Sequence, residues 1–375
     1  MGAQTPPPEF PVRFALALLA LTLAIPVIAQ DADQQMQALY KAKKWAQVLA
    51  MADAGPATVE SEFLAARALR NMKRSEAARE RYLKLVREHP DHARAVDSRI
   101  EAALMLISDL DQVAHGKAER KLAVRAAREL EAVAAQEGLA PTNVARASYV
   151  GGNTWRIAER DEEAEAAYER ARATGNASYM PKAIEKQAEL AFRRLDAEKA
   201  AALWHECLEK HVRSRSARAA RTGLERHAVI GKPAPDFEVE LWAQGKPITR
   251  ESLTGKVTLV VAFAVWCPHC RRELPHAAEL VDDYGERGLQ IVGITKNGSK
   301  QTTAEVFPFI EDPQYKMNYP VAIDLETRTT DAWSLKGLPS AALVDRAGIV
   351  RWVGHPNYLS SASIERLLDE PPPKG

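Results

Sequence analysis

The stretch Val257-Thr258-Leu259-Val260-Val261-Ala262-Phe263-Ala264-Val265-Trp266-Cys267-Pro268-His269-Cys270 is apolar and largely β-branched until it meets two cysteines spaced C-x-x-C. An apolar run this continuous reads as a strand buried on both faces, in the middle of a sheet. The residues after it, Arg271-Arg272-Glu273-Leu274-Pro275-His276-Ala277-Ala278-Glu279-Leu280, carry a helical pattern. The first thiol is therefore expected where a strand turns into a helix. Free backbone N–H groups and the helix dipole stabilise a thiolate there. This is the geometry of a dithiol redox centre.

Outward from this stretch, the whole chain has 375 residues, which implies two or three domains. Its apolar fraction of 46% and charged fraction of 27% are those of a soluble globular protein. A net charge of +1 gives no reason to expect nucleic acid or a strongly anionic surface as partner. Three cysteines, Cys207, Cys267 and Cys270, are too few for a disulfide-rich scaffold.

Residues 1–29 have the layout of an export signal. Arg13 supplies a positive charge, Phe14 to Ile28 is an apolar run broken by Thr22 and Pro26, and Val27-Ile28-Ala29 offers a cleavage site. An uncleaved N-terminal anchor is the alternative, although the run is shorter than the ~20 residues of a spanning helix. No cysteine follows the run to carry a lipid anchor. The expectation is export, to a bacterial periplasm, of a chain that is soluble once the signal is removed. In that compartment a dithiol couple matters.

Residues 30–228 are rich in Ala, Glu, Arg and Leu, and helical periodicity dominates. A frame of small and aromatic positions recurs: Ala66, Leu69, Ala78, Tyr82 and Leu85; then Gly152, Trp155, Ala164, Tyr168 and Ala171; then Ala188, Ala191, Ala200, Trp204 and Cys207. Small residues let two helices approach, and the aromatic fills the gap to the next pair. This frame resembles the tetratricopeptide repeat and implies an all-α solenoid able to hold a protein partner. An irregular helical domain is the alternative. Cys207 occupies a small-residue position of the frame and reads as a packing residue. The scattered histidines of this region form no ligand pair, so no metal site is read from them.

Gly231-Lys232-Pro233-Ala234-Pro235-Asp236-Phe237 breaks the helical pattern, and residues 229–375 then alternate strand with helix. Expected are a leading hairpin around Gln244-Gly245, the central strand to Trp266, and a strand at Leu289 to Thr295. After these come a helix from Thr303 interrupted at Pro308 or Pro313, a strand at Val321 to Leu325, a late hairpin through Asp345-Arg346-Ala347-Gly348 and a terminal helix. Together with Leu253-Thr254-Gly255-Lys256, Trp266-Cys267-Pro268-His269-Cys270, Glu273-Leu274-Pro275 and Gly337-Leu338-Pro339-Ser340, the opening motif resembles the TlpA-like branch of the thioredoxin fold.

That resemblance implies an exported thiol:disulfide oxidoreductase that needs no cofactor beyond its own Cys267–Cys270 couple and no metal. Cys267 is expected as the exposed, low-pKa nucleophile and Cys270 as the more buried resolving thiol. Trp266, Pro268, His269 and Leu338 are expected to meet the substrate, a protein thiol or disulfide, with a second redox protein upstream. Pro339 matches the family's cis-proline. Glu273 matches a carboxylate that can shuttle the resolving proton; Val261 stands where thioredoxins carry a buried Asp. A solvated, dipole-favoured role at a helix start is the other reading of Glu273. His276 and His355 read as surface or packing residues. The Pro268-His269 dipeptide is like that of the strongly oxidising DsbA-type centres, whereas the TlpA branch more often reduces. The sequence leaves the direction open.

Two further readings remain on the residues alone. A peroxidase of the peroxiredoxin type shares the fold, but Ala264 stands three residues before Cys267 where such enzymes carry Thr or Ser. Alternatively the helical array is the functional part, and the C-terminal domain is a redox sensor.

Overall fold

The structure, a computed structural model, describes residues 31–55, 58–110, 117–295 and 301–372. The expected signal at 1–29 lies outside these. Packing divides the chain into two compact units, one reaching to Leu139 and one from Ala140 onwards.

The first unit is helical: residues 31–41 (α1), Trp45–Ala54 (α2), Val59–Asn71 (α3), Ser75–Glu88 (α4), Ala93–Met105 (α5) and Lys117–Ala134 (α6). Thr58 caps α3 by accepting from the Ser61 N–H, and Ser61 returns the bond to the Thr58 N–H. Phe63, Ala66, Leu69, Ala78, Tyr82 and Leu85 close one buried cluster of this unit.

The second unit begins with Pro141–Ile157 (α7), Asp161–Ala173 (α8), Met180–Arg193 (α9), Ala197–Lys210 (α10) and Arg215–His227 (α11). Then come Leu241–Gln244 (β1), Val257–Phe263 (β2), Pro268–Tyr284 (α12), Leu289–Thr295 (β3), Thr303–Ile310 (α13), Val321–Ile323 (β4), Arg328–Ala332 (α14), Ser340–Val344 (β5), Val350–Gly354 (β6) and Ser361–Asp369 (α15). The sheet has the order β1-β4-β3-β2-β5-β6. Strands β2, β3 and β4 run parallel, and β1, β5 and β6 are antiparallel to their neighbours. The helix-rich region followed by a mixed, thioredoxin-like sheet is the architecture expected. The leading hairpin is not formed: β1 instead pairs with β4, through Leu241 and Ile323. Gln244 closes that edge, donating to the Met317 and Tyr319 carbonyls at 2.6 and 2.8 Å.

Strand β2 is buried along its whole length. Its alternate residues Val257, Leu259, Val261 and Phe263 enter one core cluster, and Val260 and Ala262 enter the other, with Trp333 and Val344. The first of these clusters also contains Ile184, Ala188, Phe192, Trp204 and Cys207 of α9 and α10. Helix α11 ends at His227, yet packing groups α7–α11 with the sheet, not with α1–α6. Two carbonyls at the end of α9 receive donors from α15: Ser363 Oγ to Arg193 O at 2.5 Å and Arg366 Nη1 to Arg194 O at 3.1 Å.

The helix pairs α1/α2, α3/α4, α7/α8 and α9/α10 are joined by the same turn. Lys43, Lys73, Glu159 and Leu195 adopt φ of 58°, 58°, 57° and 62°. The residue after each donates to a carbonyl five residues back, as in Arg74 N to Leu69 O and Arg160 N to Trp155 O, both at 2.9 Å. None of these left-handed positions is glycine, so the sequence carries no visible signal of them. Between adjacent helices, small residues make room for aromatics: a Cβ on Gly152 would lie 2.4 Å from the Tyr168 ring, and one on Gly223 would lie 2.3 Å from Trp204.

Two substitutions test this packing by urea denaturation. Gly223→Ala is expected to cost about 1–3 kcal/mol, because Trp204 must move. Lys73→Gly, at an exposed left-handed position, is expected to add about 0.5–1 kcal/mol; a loss of stability there would contradict the backbone account.

Candidate active site

Cys267 is the N-cap of α12, and Pro268 takes the first helical position, where a missing N–H costs nothing. The Cys267 side chain accepts from the backbone N–H of Cys270, with Sγ and N 3.3 Å apart. Both cysteines are free thiols. The junction between β2 and this cap is held from two sides. The Val265 N–H donates to Gln301 Oε1 at 2.7 Å, and Arg271 Nε donates to the Val265 carbonyl at 2.7 Å. Buried Gln301 is itself fixed through Nε2 on Thr295 Oγ1, 2.8 Å away at the end of β3. Nothing in the sequence marked Gln301 as part of the site.

One expectation is corrected here. Cys267 is not exposed: it retains 4% of its accessible surface. Its Sγ folds back over the first helical turn to meet the Cys270 N–H, which draws the side chain inward. The exposed surface of the motif is supplied by Trp266, at 44%, and by Pro268 and His269. His269 Nδ1 lies 2.6 Å from Arg272 Nη2.

Cys270 is fully buried. Burial, and then its hydrogen bond with Cys267, push its thiol well above the ordinary range. Glu273, three residues on along the same helix face, is buried as well. Val261 is buried in the core that holds both cysteines. Across the sheet, Ser340 at the start of β5 pairs with Ala262 near the end of β2. This register brings Leu338 and Pro339 to the sheet end that carries the cysteines, and the Leu338–Pro339 bond is cis. Leu338, Pro339 and His355 line one cavity. Burial, and then the charge of His269, hold His355 below the usual imidazole range. Sequence pattern alone gave His355 no place in the site; its position just after β6 is what brings it here.

The neutral Cys270 thiol has a consequence for stability. Above about pH 8.5 an unfolded chain releases this proton while the folded, reduced protein keeps it, so stability falls as pH rises from there. The slope contributed by one such group approaches about 1.4 kcal/mol per pH unit. Cys270→Ala, measured beside the parent by urea denaturation of reduced protein between pH 8 and 10, is expected to show the shallower decline. Parallel declines would contradict the burial argument.

Residues 230–353 match the family described as AhpC/TSA. The thiol-disulfide oxidoreductase ResA of Bacillus cereus is 35% identical over 121 residues, covering 32% of this chain and 66% of that protein. The thiol:disulfide interchange protein DsbE of Allochromatium vinosum is 33% identical over 125 residues, covering 33% of this chain and 65% of that protein. A solved thiol-disulfide isomerase from Corynebacterium glutamicum is 27% identical with a TM-score of 0.32, covering 37% of this chain and 98% of that one. The chain thus spans just under two thirds of the length of these ResA and DsbE relatives. Its C-terminal part, after the helical region, is similar to the AhpC/TSA family and to thiol-disulfide oxidoreductases.

Proposed function

We propose that this protein is an exported thiol:disulfide oxidoreductase acting on protein clients through Cys267 and Cys270. The observation that carries this reading is the pairing of a thiol at the N-cap of α12 with a buried thiol one turn in. Cys267, at the N-terminus of α12 and one turn ahead of its buried partner, is the residue we assign as the nucleophile.

In the reducing direction the Cys267 thiolate attacks one sulfur of a client disulfide. A Cys267–client mixed disulfide forms, and the other client sulfur leaves as a thiolate that takes up a proton. Cys270, deprotonated, then attacks Cys267 Sγ; the client leaves with its second thiol, and the two electrons of the dithiol have passed to the client. The high proton affinity of Cys270 means that this step needs a base. Glu273, buried on the same face, is the residue we assign to take that proton. Run backwards, the same steps oxidise a client dithiol. His269 favours that direction, since a hydrogen-bond donor beside the thiolate stabilises the reduced pair. A second redox protein restores the starting state: a dithiol donor in the reducing direction, and a disulfide-bearing acceptor of two electrons in the oxidising one.

Trp266, Pro268 and His269 form the exposed surface around the pair, and we assign them with Leu338 and Pro339 to client contact. The repeated turns of the helix pairs support a tetratricopeptide-like reading of residues 30–228, in which the array recruits clients. Among the described residues no helix is long and apolar enough to cross a membrane; export rests on the charge and apolar pattern of residues 1–29. Ala264 in place of Thr or Ser disfavours peroxide reduction.

Cys270→Ser is expected to accumulate mixed disulfides on Cys267 that dithiothreitol releases, seen as slow-migrating species on non-reducing gels. Cys267→Ser is expected to capture nothing and to reduce a protein disulfide no faster than the uncatalysed rate. An empty Cys270→Ser trap would overturn the assignment.

A further inference from the structure

The cavity beside Leu338 and Pro339 has a volume of about 330 Å³, and one of its walls is α11. Its polar lining includes Glu225 and Arg226 on that helix, Lys336 before the cis bond, and His355 after β6. Glu225 and Lys336 pair with each other at 3.0 Å and neutralise one another. Arg226 differs. Its Nε reaches the Thr222 carbonyl of its own helix at 3.4 Å, and among the described residues no carboxylate forms an ion pair with it. Glu189 acts on it only through space, and that carboxylate is paired with Lys186 at 2.7 Å. His355 Nδ1 accepts from the Asn357 N–H at 3.2 Å, so a neutral ring carries its proton on Nε2.

The cavity therefore offers a guanidinium and an imidazole N–H without a matching acceptor. A half-buried cation lacking a counter-charge is costly, and a carboxylate entering beside it offsets that cost through charge-assisted hydrogen bonds. Leu338 and Pro339, which line the cavity, lie at the sheet end that carries the dithiol, where Ser340 pairs with Ala262. An extended client advances about 3.3 Å per residue, which puts side chains close to its reactive cysteine within range.

We propose that this cavity binds the carboxylate of an acidic residue flanking the reactive cysteine of a protein client, with Arg226 and His355 as its donors. The proposal rests on the thiol–disulfide function proposed for Cys267 and Cys270 and adds a substrate preference set by a helix outside the thioredoxin-like sheet.

The test uses the full chain carrying Cys270→Ser and two peptides, each with one cysteine joined in a disulfide to 2-nitro-5-thiobenzoate. The two differ only in Glu or Gln at both positions beside the cysteine, and a third peptide for the charge-reversal variant carries Lys there. Cys267 attacks the peptide sulfur, a Cys267–peptide disulfide forms, and coloured nitrothiobenzoate leaves. At low salt the Glu peptide is expected to react about tenfold faster, as one charge-assisted contact would give. Arg226→Ala in the same background should equalise the two rates. Arg226→Glu should reverse the preference toward a Lys-bearing peptide, an outcome that misfolding cannot produce. Equal rates in the Cys270→Ser protein, or a preference that survives Arg226→Ala, would overturn the proposal. Reaction with neither peptide would instead overturn the oxidoreductase reading, and this proposal with it.

Discussion

Strand β2 has to end, and α12 has to begin, within the four residues from Ala264 to Cys267. The chemistry depends on how those four are held. A strand in mid-sheet has its peptide groups paired on both sides, whereas the segment leaving it has none of those partners. Here the Cys267 N–H returns to the Ala264 carbonyl at 3.1 Å, and side chains of Gln301 and Arg271 take the two polar groups of Val265. With the backbone fixed in this way, the sulfur of Cys267 can close the first helical turn.

Much of this was legible beforehand because it depends on local pattern. A run this apolar and largely β-branched reads as a central strand, so the burial of both faces of β2 could be read from residues 257–263. The change to helical spacing after Cys267 located the dithiol. The motif around Pro339 marked the cis bond that precedes β5. The small and aromatic positions Ala78, Tyr82, Ala164, Tyr168, Ala200 and Trp204 are all buried where the periodic frame put them.

The features that escaped the sequence depend on distance in space. Gln301 is a common polar residue in a loop, and only the approach of β3 to β2 gives its amide something to hold. The burial of Cys267 follows from its Sγ meeting the Cys270 N–H, a contact that composition does not encode. The edge strand β1 passes for half of a hairpin because Gln244-Gly245 is a good turn signal; the gap beside β4 is a property of the finished sheet. Most consequential, nothing in the composition separates α7–α11 from α1–α6. The grouping of the former with the sheet arises because Phe192, Trp204 and Cys207 enter the same apolar core as Val261 and Leu274.

The donors that α15 supplies to the end of α9 set an order of events. Helix α9 has left the ribosome some 170 residues before Ser363 and Arg366 exist to satisfy its terminal carbonyls. Until then those carbonyls face water and the core beneath them lacks its last wall. The clusters around Val48 and Tyr82 suffer no such delay, since among the described residues they draw only on ones already made. During synthesis or threading, the first helices can therefore close while the dithiol unit stays open to its final residues.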